Sequence, residues 1–396
     1  MRTWQRKQTP NDNAPISISI THQNNTATMM DKVLQTGLSL GMSTTSGYHS
    51  GKPRPVSREL DGKNIMPPTF CPTARDRVTF PTPNGRVDAS YICIGAWPWG
   101  DKGTWGYKEE EFPAIQAAWR ELYDAGINFI DTAQAYGSGE SERIIGKLVK
   151  GLPRDSFVIQ TKWLGTAMDV KNYIHPSDAP YKTLKGSLER LELDYIDIYL
   201  VHGPTHPQSI KTVAEGLAKC VNEGLTRAVG VANYPNEKVL EMKAELAKYN
   251  IPLATNQVEY SILRRYPEVH GEIKACTDNG MVFQGYSAIA NGRLSGKYTK
   301  ENPPPRTYRF SSYDMEDIAE TLAVLRKIAT ARGKAMASVA LNYNISKGAL
   351  PVVGIRTPEQ ARQAIDALGW RLSEEEMIEL DRVSVEGTKT VLWQQG

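Results

Sequence analysis

No apolar run in this chain approaches the roughly 18 residues that a membrane-crossing helix needs. No basic stretch is interleaved with aromatics, and Lys plus Arg (47) barely exceed Asp plus Glu (44). Neither a membrane nor a nucleic acid is therefore an expected partner. Cysteine is scarce. The four present, Cys71, Cys93, Cys220 and Cys276, show no CxxC spacing, and "MRTWQRKQ" at the start lacks the apolar centre of a secretory signal. A reducing compartment with structural thiols is expected, and a disulfide framework is not. The usual nucleotide-binding loops are missing too: no GxGxxG opens a helix, and "GSGESERIIGK" fits neither that pattern nor the P-loop.

What is present suits a soluble globular protein with a large core, 40% hydrophobic and 23% charged over 396 residues. That length allows two domains or one α/β barrel. Residues 1–65 stand apart, being rich in Ser, Thr, Asn and Gln, with one tryptophan and one tyrosine. Such a segment buries too little apolar area to offset its ordering entropy, so a disordered tail is expected. Its basic excess keeps an organelle transit peptide open beside the default cytoplasmic location. Residues 66–396 are expected to form the folded domain.

From about residue 78 the pattern becomes regular. "VTFPTPNGRVDAS" reads as a hairpin around Asn84-Gly85. Eight short apolar runs follow: "YICIG", "INFID", "FVIQTK", "IDIYLVH", "RAVGVAN", "ATNQVEY", "MVFQGYS" and "LPVVGIR". Amphipathic helices separate them, starting near Glu109, Glu140, Ser177, Ser209, Asn236, Pro267, Asp314 and Pro358. Unbroken apolar strands between helices indicate a parallel sheet buried on both faces. Eight such units in about 300 residues predict a (β/α)₈ TIM barrel over an open doubly wound sheet. Ser373 with Glu376 three residues on marks a capping box for an additional C-terminal helix.

In such a barrel, chemistry sits at the carboxyl ends of the strands. Those ends carry Asp131, Lys162, His202, Asn233, Gln257, Tyr286 and Arg356 in turn. Four residues make chemical sense together. A phenol is a poor acid near neutrality, and a nearby ammonium lowers its pKa. Asp131 is expected to hold Lys162, Lys162 to tune Tyr136, and His202 to aim a second donor at the same oxygen. The set would protonate an oxygen that is gaining negative charge. A metal is not expected, because Gly203 and Pro204 break the His202–His206 spacing.

"FIDTAQAYGSGESERIIG", "TKW", "IDIYLVHGP" and "GVANYPNEKV" together resemble the signatures of the aldo-keto reductases over roughly residues 78–385. The resemblance implies a (β/α)₈ barrel that reduces aldehydes or ketones with NADPH/NADP+. It makes Tyr136 the general acid, tuned by Lys162 and Asp131, with His202 orienting the carbonyl. It places Gly95, Ala96 and Trp97 at the cofactor and gives Asn233 and Gln257 to the carboxamide, with Tyr286 stacking on nicotinamide. It implies Leu294, Ser295, Gly296 and Lys297 near the pyrophosphate, and Gly354, Arg356, Thr357 and Gln360 at the adenosine 2′-phosphate. The chain departs from the family at Ala232, Gln363, Ala364 and Gly203, the last where many members carry tryptophan. That glycine is expected to leave room beside the reacting centre. Trp97, Trp99, Trp105, Trp163, Thr205 and His206 are candidates for the substrate entrance, with packing of loop on loop the alternative. Two other readings keep the barrel: a nucleotide-binding regulatory subunit resembling potassium-channel β subunits, and a pathway-specific reductase of a bulky metabolite. The oligomeric state is not legible.

Overall fold

A computed structural model describes residues 53–305, 313–390 and 393–396. The hairpin is β1 (Arg77–Thr82) with β2 (Gly85–Ser90). Eight parallel strands then close on themselves: β3 (Cys93–Gly95), β4 (Phe129–Asp131), β5 (Val158–Trp163), β6 (Ile196–Val201), β7 (Thr226–Ala232), β8 (Leu253–Glu259), β9 (Val282–Tyr286) and β10 (Leu350–Gly354). Each expected apolar run supplies one strand. A parallel strand buried on both faces tolerates few polar side chains, which is why the runs were unbroken. The (β/α)₈ barrel expected from that pattern is the fold observed.

The hairpin closes the amino-terminal end of the barrel. Phe80, Val87 and Ala89 are buried among Cys93, Phe129, Val158, Ile198 and Leu350. Its turn differs from the expectation: Thr82 pairs with Gly85, so Pro83 and Asn84 form the tip and only Gly85 has a positive φ.

The outer layer comprises α1 (Phe112–Ala125), α2 (Glu140–Val149), α3 (Ala179–Leu191), α4 (Ile210–Asn222) and α5 (Asn236–Ala247). It continues with α6 (Tyr266–Val269), α7 (Glu272–Asp278), α8 (Ala319–Arg332), α9 (Met336–Ser346) and α10 (Pro358–Ile365). Two single helices expected from the sequence are pairs. Gly271, at φ 80°, separates α6 from α7. α9 follows α8 and is buried on every side, so it lacks the polar face that marks a surface helix. The added helix α11 (Glu374–Arg382) is capped by Ser373 and Glu376 as expected.

Residues 1–52, most of the expected tail, lie outside the described residues. Residues 53–65 were assigned to that tail as well, and here the structure differs. Pro55 bridges Val385, Gly62 N–H donates to Asp381 at 2.9 Å, and the Lys63 carbonyl accepts from Lys347 at 2.8 Å. Lys347 also reaches Glu268 (3.1 Å) and Asp381 (2.8 Å), and Arg265 pairs with both carboxylates. This balanced, buried four-charge cluster joins α6, α9, α11 and the segment before the hairpin. Among the described residues, no helix is long and apolar enough to cross a membrane.

Candidate active site

Asp131 ends β4, and Tyr136 follows where the chain turns into α2. Gly137, Ser138 and Gly139 are all left-handed, which folds Tyr136 back over the barrel mouth. Gly137 tolerates no side chain, because a Cβ there would stand 2.6 Å from the Gly100 carbonyl oxygen. Lys162 Nζ, near the end of β5, donates to Asp131 Oδ2 at 2.6 Å and to the Thr132 carbonyl at 2.9 Å. The Tyr136 hydroxyl lies 3.3 Å from Lys162 Nζ and 3.4 Å from His202 Nε2. The four side chains proposed from strand ends thus meet around one hydroxyl.

The electrostatics depart from one expectation. Burial pushes the Tyr136 phenol well above its ordinary 10, and the Asp131 carboxylate adds to the push. Burial outweighs the lowering that the Lys162 ammonium, 3.3 Å away, would bring by itself. Burial also lowers the Lys162 pKa from 10.5, with Asp131 opposing. Burial, then the Lys162 charge, holds His202 well below 6.5. At neutral pH the resting site therefore holds a protonated phenol and a neutral imidazole. His202 Nδ1 is buried with no hydrogen-bond partner among the described residues. A ring proton on Nε2 avoids burying an unpaired N–H and points a donor at the Tyr136 oxygen.

Beneath the tetrad lies a layer the sequence reading passed over. Gln160 and Gln257 both donate to Asp131 Oδ1, at 2.6 and 3.1 Å, and both reach Gln284 Oε1 at 3.1 Å. The signal was present, since glutamine inside "FVIQTK" and "MVFQGYS" has no packing reason. Gln257, expected at a carboxamide, has its amide nitrogen committed to this layer. Asn233, left-handed at φ 63°, donates to the His202 carbonyl (3.0 Å) and accepts from the Tyr286 hydroxyl (2.9 Å). Both amides serve the protein itself, and Tyr286 is left half-buried at the rim with its hydroxyl anchored.

The tryptophans divide. Trp97 stacks on Tyr136 (centroids 5.6 Å apart, 19° between planes) and meets Trp105 edge-on at 5.7 Å. Trp99 and Trp163, candidates for the entrance, are fully buried. Trp99 donates to the Ile355 carbonyl at 2.7 Å, and Trp163 stacks on His206. His206 is fixed in turn by the Tyr234 hydroxyl (2.6 Å) and the Gln208 carbonyl (2.9 Å). These three side chains pack loop on loop, with His206 staying partly exposed, and Thr205 donates to the Gly165 carbonyl.

Nor is the space beside Gly203 open. Trp393, 191 positions beyond His202 in sequence, meets that imidazole edge-on with centroids 5.1 Å apart. A Cβ on Gly203 would lie 3.2 Å from the indole. The tail that carries Trp393 is pinned by Arg264, a fully buried side chain. It donates to the Glu259 carbonyl (2.6 Å), the Thr388 carbonyl (3.1 Å) and the Gly396 carbonyl (2.8 Å). Gln394 also donates to the Glu259 carboxylate.

The residues expected at a nucleotide lie along one rim. Gly95 ends β3 with Ala96 and Trp97 directly after it, and Gly354 ends β10 beside Gly95. The loop after β9 carries left-handed Asn291, Gly292 and Gly296; Leu294 is buried, Ser295 Oγ donates to the Gly292 carbonyl at 2.7 Å, and Lys297 is exposed. Thr357 caps α10 by accepting from Gln360 N. Exposed Lys297, Arg356 and a capped helix start make a donor set that fits a phosphorylated dinucleotide. Arg356, however, is already partnered. Its Nε donates to Glu111 Oε2 at 2.8 Å, Nη2 reaches the same oxygen, and Nη1 reaches the Trp105 carbonyl at 3.3 Å. No cluster suited to a metal occurs among the described residues. Burial raises the Cys93, Cys220 and Cys276 thiols, so none of the three is a poised nucleophile.

The aldo/keto reductase family model matches residues 91–385. A chloroplastic pyridoxal reductase of Arabidopsis thaliana is 32% identical over 83% of this chain and 91% of its own length. An NADH-specific methylglyoxal reductase of Escherichia coli is 30% identical over 73% of this chain and 92% of that protein. Among solved structures, an aldo/keto reductase of Klebsiella pneumoniae in complex with NADP and acetate superposes with a TM-score of 0.61. It is 26% identical and covers 80% of this chain and 98% of its own.

Proposed function

This chain belongs to the aldo/keto reductase family, and on that premise we propose that it reduces an aldehyde or ketone to the alcohol with NADPH, Tyr136 being the proton donor. The observation that carries the reading is the Tyr136 hydroxyl held 3.3 Å from Lys162 Nζ and 3.4 Å from His202 Nε2, with Asp131 behind the lysine. When bound, the nicotinamide supplies a hydride to the carbonyl carbon. The protein's part is to receive the charge that appears on the carbonyl oxygen. Tyr136 O–H and His202 Nε2–H converge on that oxygen and Tyr136 yields its proton to it; Lys162 stabilises the phenolate left behind. A phenol whose pKa is raised in the resting site stays protonated until that charge develops. Asp131, braced by Gln160 and Gln257, keeps the ammonium charged in a dry barrel.

In this reading Tyr286 and Trp97 stand beside the nicotinamide, Ser295, Gly296 and Lys297 take the pyrophosphate, and Arg356 and Thr357 take the adenosine end. The NADP complex of the Klebsiella pneumoniae relative supports this choice of cofactor.

The test is NADPH oxidation against a panel of aldehydes and ketones, run with wild type and Tyr136→Phe. The Phe variant should bind NADPH normally and turn over about 10²-fold more slowly or worse, the scale of losing a general acid. Equal rates for the two proteins would reject Tyr136 as the donor.

A further inference from the structure

Arg356 is the cation that the reading above gives to the 2′-phosphate, yet it is not waiting for one. Two of its nitrogens hold a single oxygen of Glu111, and a third reaches the Trp105 carbonyl. Both side chains are about three-quarters buried, at 26% and 28% exposed, so the contact is screened less than a surface pair. Glu111 is itself held in place. Its other oxygen accepts from Lys108 N–H at 3.2 Å, closing the short turn Glu109–Glu111 that leads into α1. Glu109 and Glu110 precede it, and Lys102 offsets only Glu109. The guanidinium is therefore fixed by a carboxylate that the local backbone positions, within an acidic turn.

A carboxylate and a 2′-phosphate compete for the same guanidinium, and they repel each other. A carboxylate is also the group that accepts a hydrogen bond from a ribose 2′-hydroxyl, which NADH has and NADPH lacks. We propose that Glu111 is a specificity-determining residue that narrows the preference for NADPH over NADH, because a 2′-phosphate must break its pair with Arg356. The inference rests on the reductase reading, which assigns Arg356 to the adenosine end. One consequence follows for Arg356 itself. Removing it costs NADPH less than a free phosphate-binding arginine would, since part of its attraction is already satisfied within the protein. The loop involved also carries Trp105, whose ring meets Trp97, which stacks on Tyr136. Freeing Arg356 thus also loosens one end of a contact chain that reaches the proton donor.

The experiment is equilibrium titration by tryptophan fluorescence of wild type, Glu111→Gln, Arg356→Ala and the double variant. The probes are adenosine 2′,5′-bisphosphate, 5′-AMP, NADPH and NADH. Glutamine keeps an oxygen to accept from Lys108 N–H, so the turn ahead of α1 is preserved. In Glu111→Gln, the bisphosphate and NADPH should bind about tenfold more tightly, the size of one partly screened charge contact. 5′-AMP and NADH should bind equally or slightly more weakly. Arg356→Ala should weaken NADPH more in the Glu111→Gln background than in wild type. If wild type binds the nucleotides and Glu111→Gln leaves the NADPH to NADH ratio unchanged, the inference is overturned while the reductase reading stands. If wild type binds no nicotinamide nucleotide, both are overturned.

Discussion

The indole of Trp393 stands edge-on to the imidazole of His202, 5.1 Å between centroids and 62° between planes, and fills the space that Gly203 leaves. A tryptophan absent from the position after His202 is therefore supplied by the far end of the chain.

Trp393→Ala is expected to open the mouth beside His202. Catalytic efficiency should fall for small aldehydes and rise for bulky ketones, changing their ratio by about tenfold or more. NADPH affinity should stay at the wild-type value. Parallel kcat/KM measurements on one small and one bulky carbonyl decide this; an unchanged ratio would show that the indole only packs.

Acid should weaken the fold through His202. Its pKa in the folded protein is depressed well below 6.5. Above pH 6.5 the imidazole is neutral in both states. Below it, the unfolded chain takes up a proton that the folded site refuses, so stability declines as pH falls from 6.5 toward the folded pKa. Between pH 7.5 and 5.5, His202→Gln should lose about 1 kcal/mol less than wild type, roughly one proton's worth over one pH unit. Urea unfolding of both proteins at the two pH values measures the difference, and parallel losses would refute it.

Lys347→Met would leave the two carboxylates of Glu268 and Asp381 with Arg265 as the one remaining cation of the cluster in a dry interior. The expected cost is about 3–5 kcal/mol, that of breaking a buried pair from one side. A loss below about 1 kcal/mol in denaturant titration would mean that water or a carboxyl proton replaces the ammonium.

Truncation separates two segments that look alike in composition. Removing residues 1–52 should leave the melting transition unchanged, because that stretch lacks core-forming residues. Removing 1–65 also deletes the Gly62–Asp381 and Lys63–Lys347 hydrogen bonds. That should cost roughly 2 kcal/mol or more, since Asp381 and Lys347 each lose a hydrogen bond made by a buried charge. Identical melting of the two truncated proteins would dismiss the contacts as incidental.

The strands and the tetrad were legible because each has a local signature: apolar runs bounded by glycine and proline, and polar residues at run ends where packing asks for none. Gln160 and Gln284 carried the same kind of signal and could have been read. Trp393 could not, because nothing near it in sequence points to His202. Neither could the Glu111–Arg356 pair, whose members are 245 residues apart. Trp99 and Trp163 read two ways for a related reason. An indole has both an apolar body and a donor, so it suits a buried loop as well as a binding mouth, and only the Ile355 carbonyl decides for Trp99. The fourteen-residue α8 was expected and the fully buried α9 was not, since periodicity fades once no face meets water.

The hairpin that plugs the barrel with Phe80 and Val87 makes it a well with a sealed floor. Water reaches the Asp131–Lys162 pair from one side only, and whatever occupies the mouth takes that side away. The effective dielectric around the pair is then set by the occupant as much as by the protein. Attraction between ammonium and phenolate strengthens as the last water leaves. Acid strength here is accordingly a property of the filled well, and a titration of the empty one will understate it.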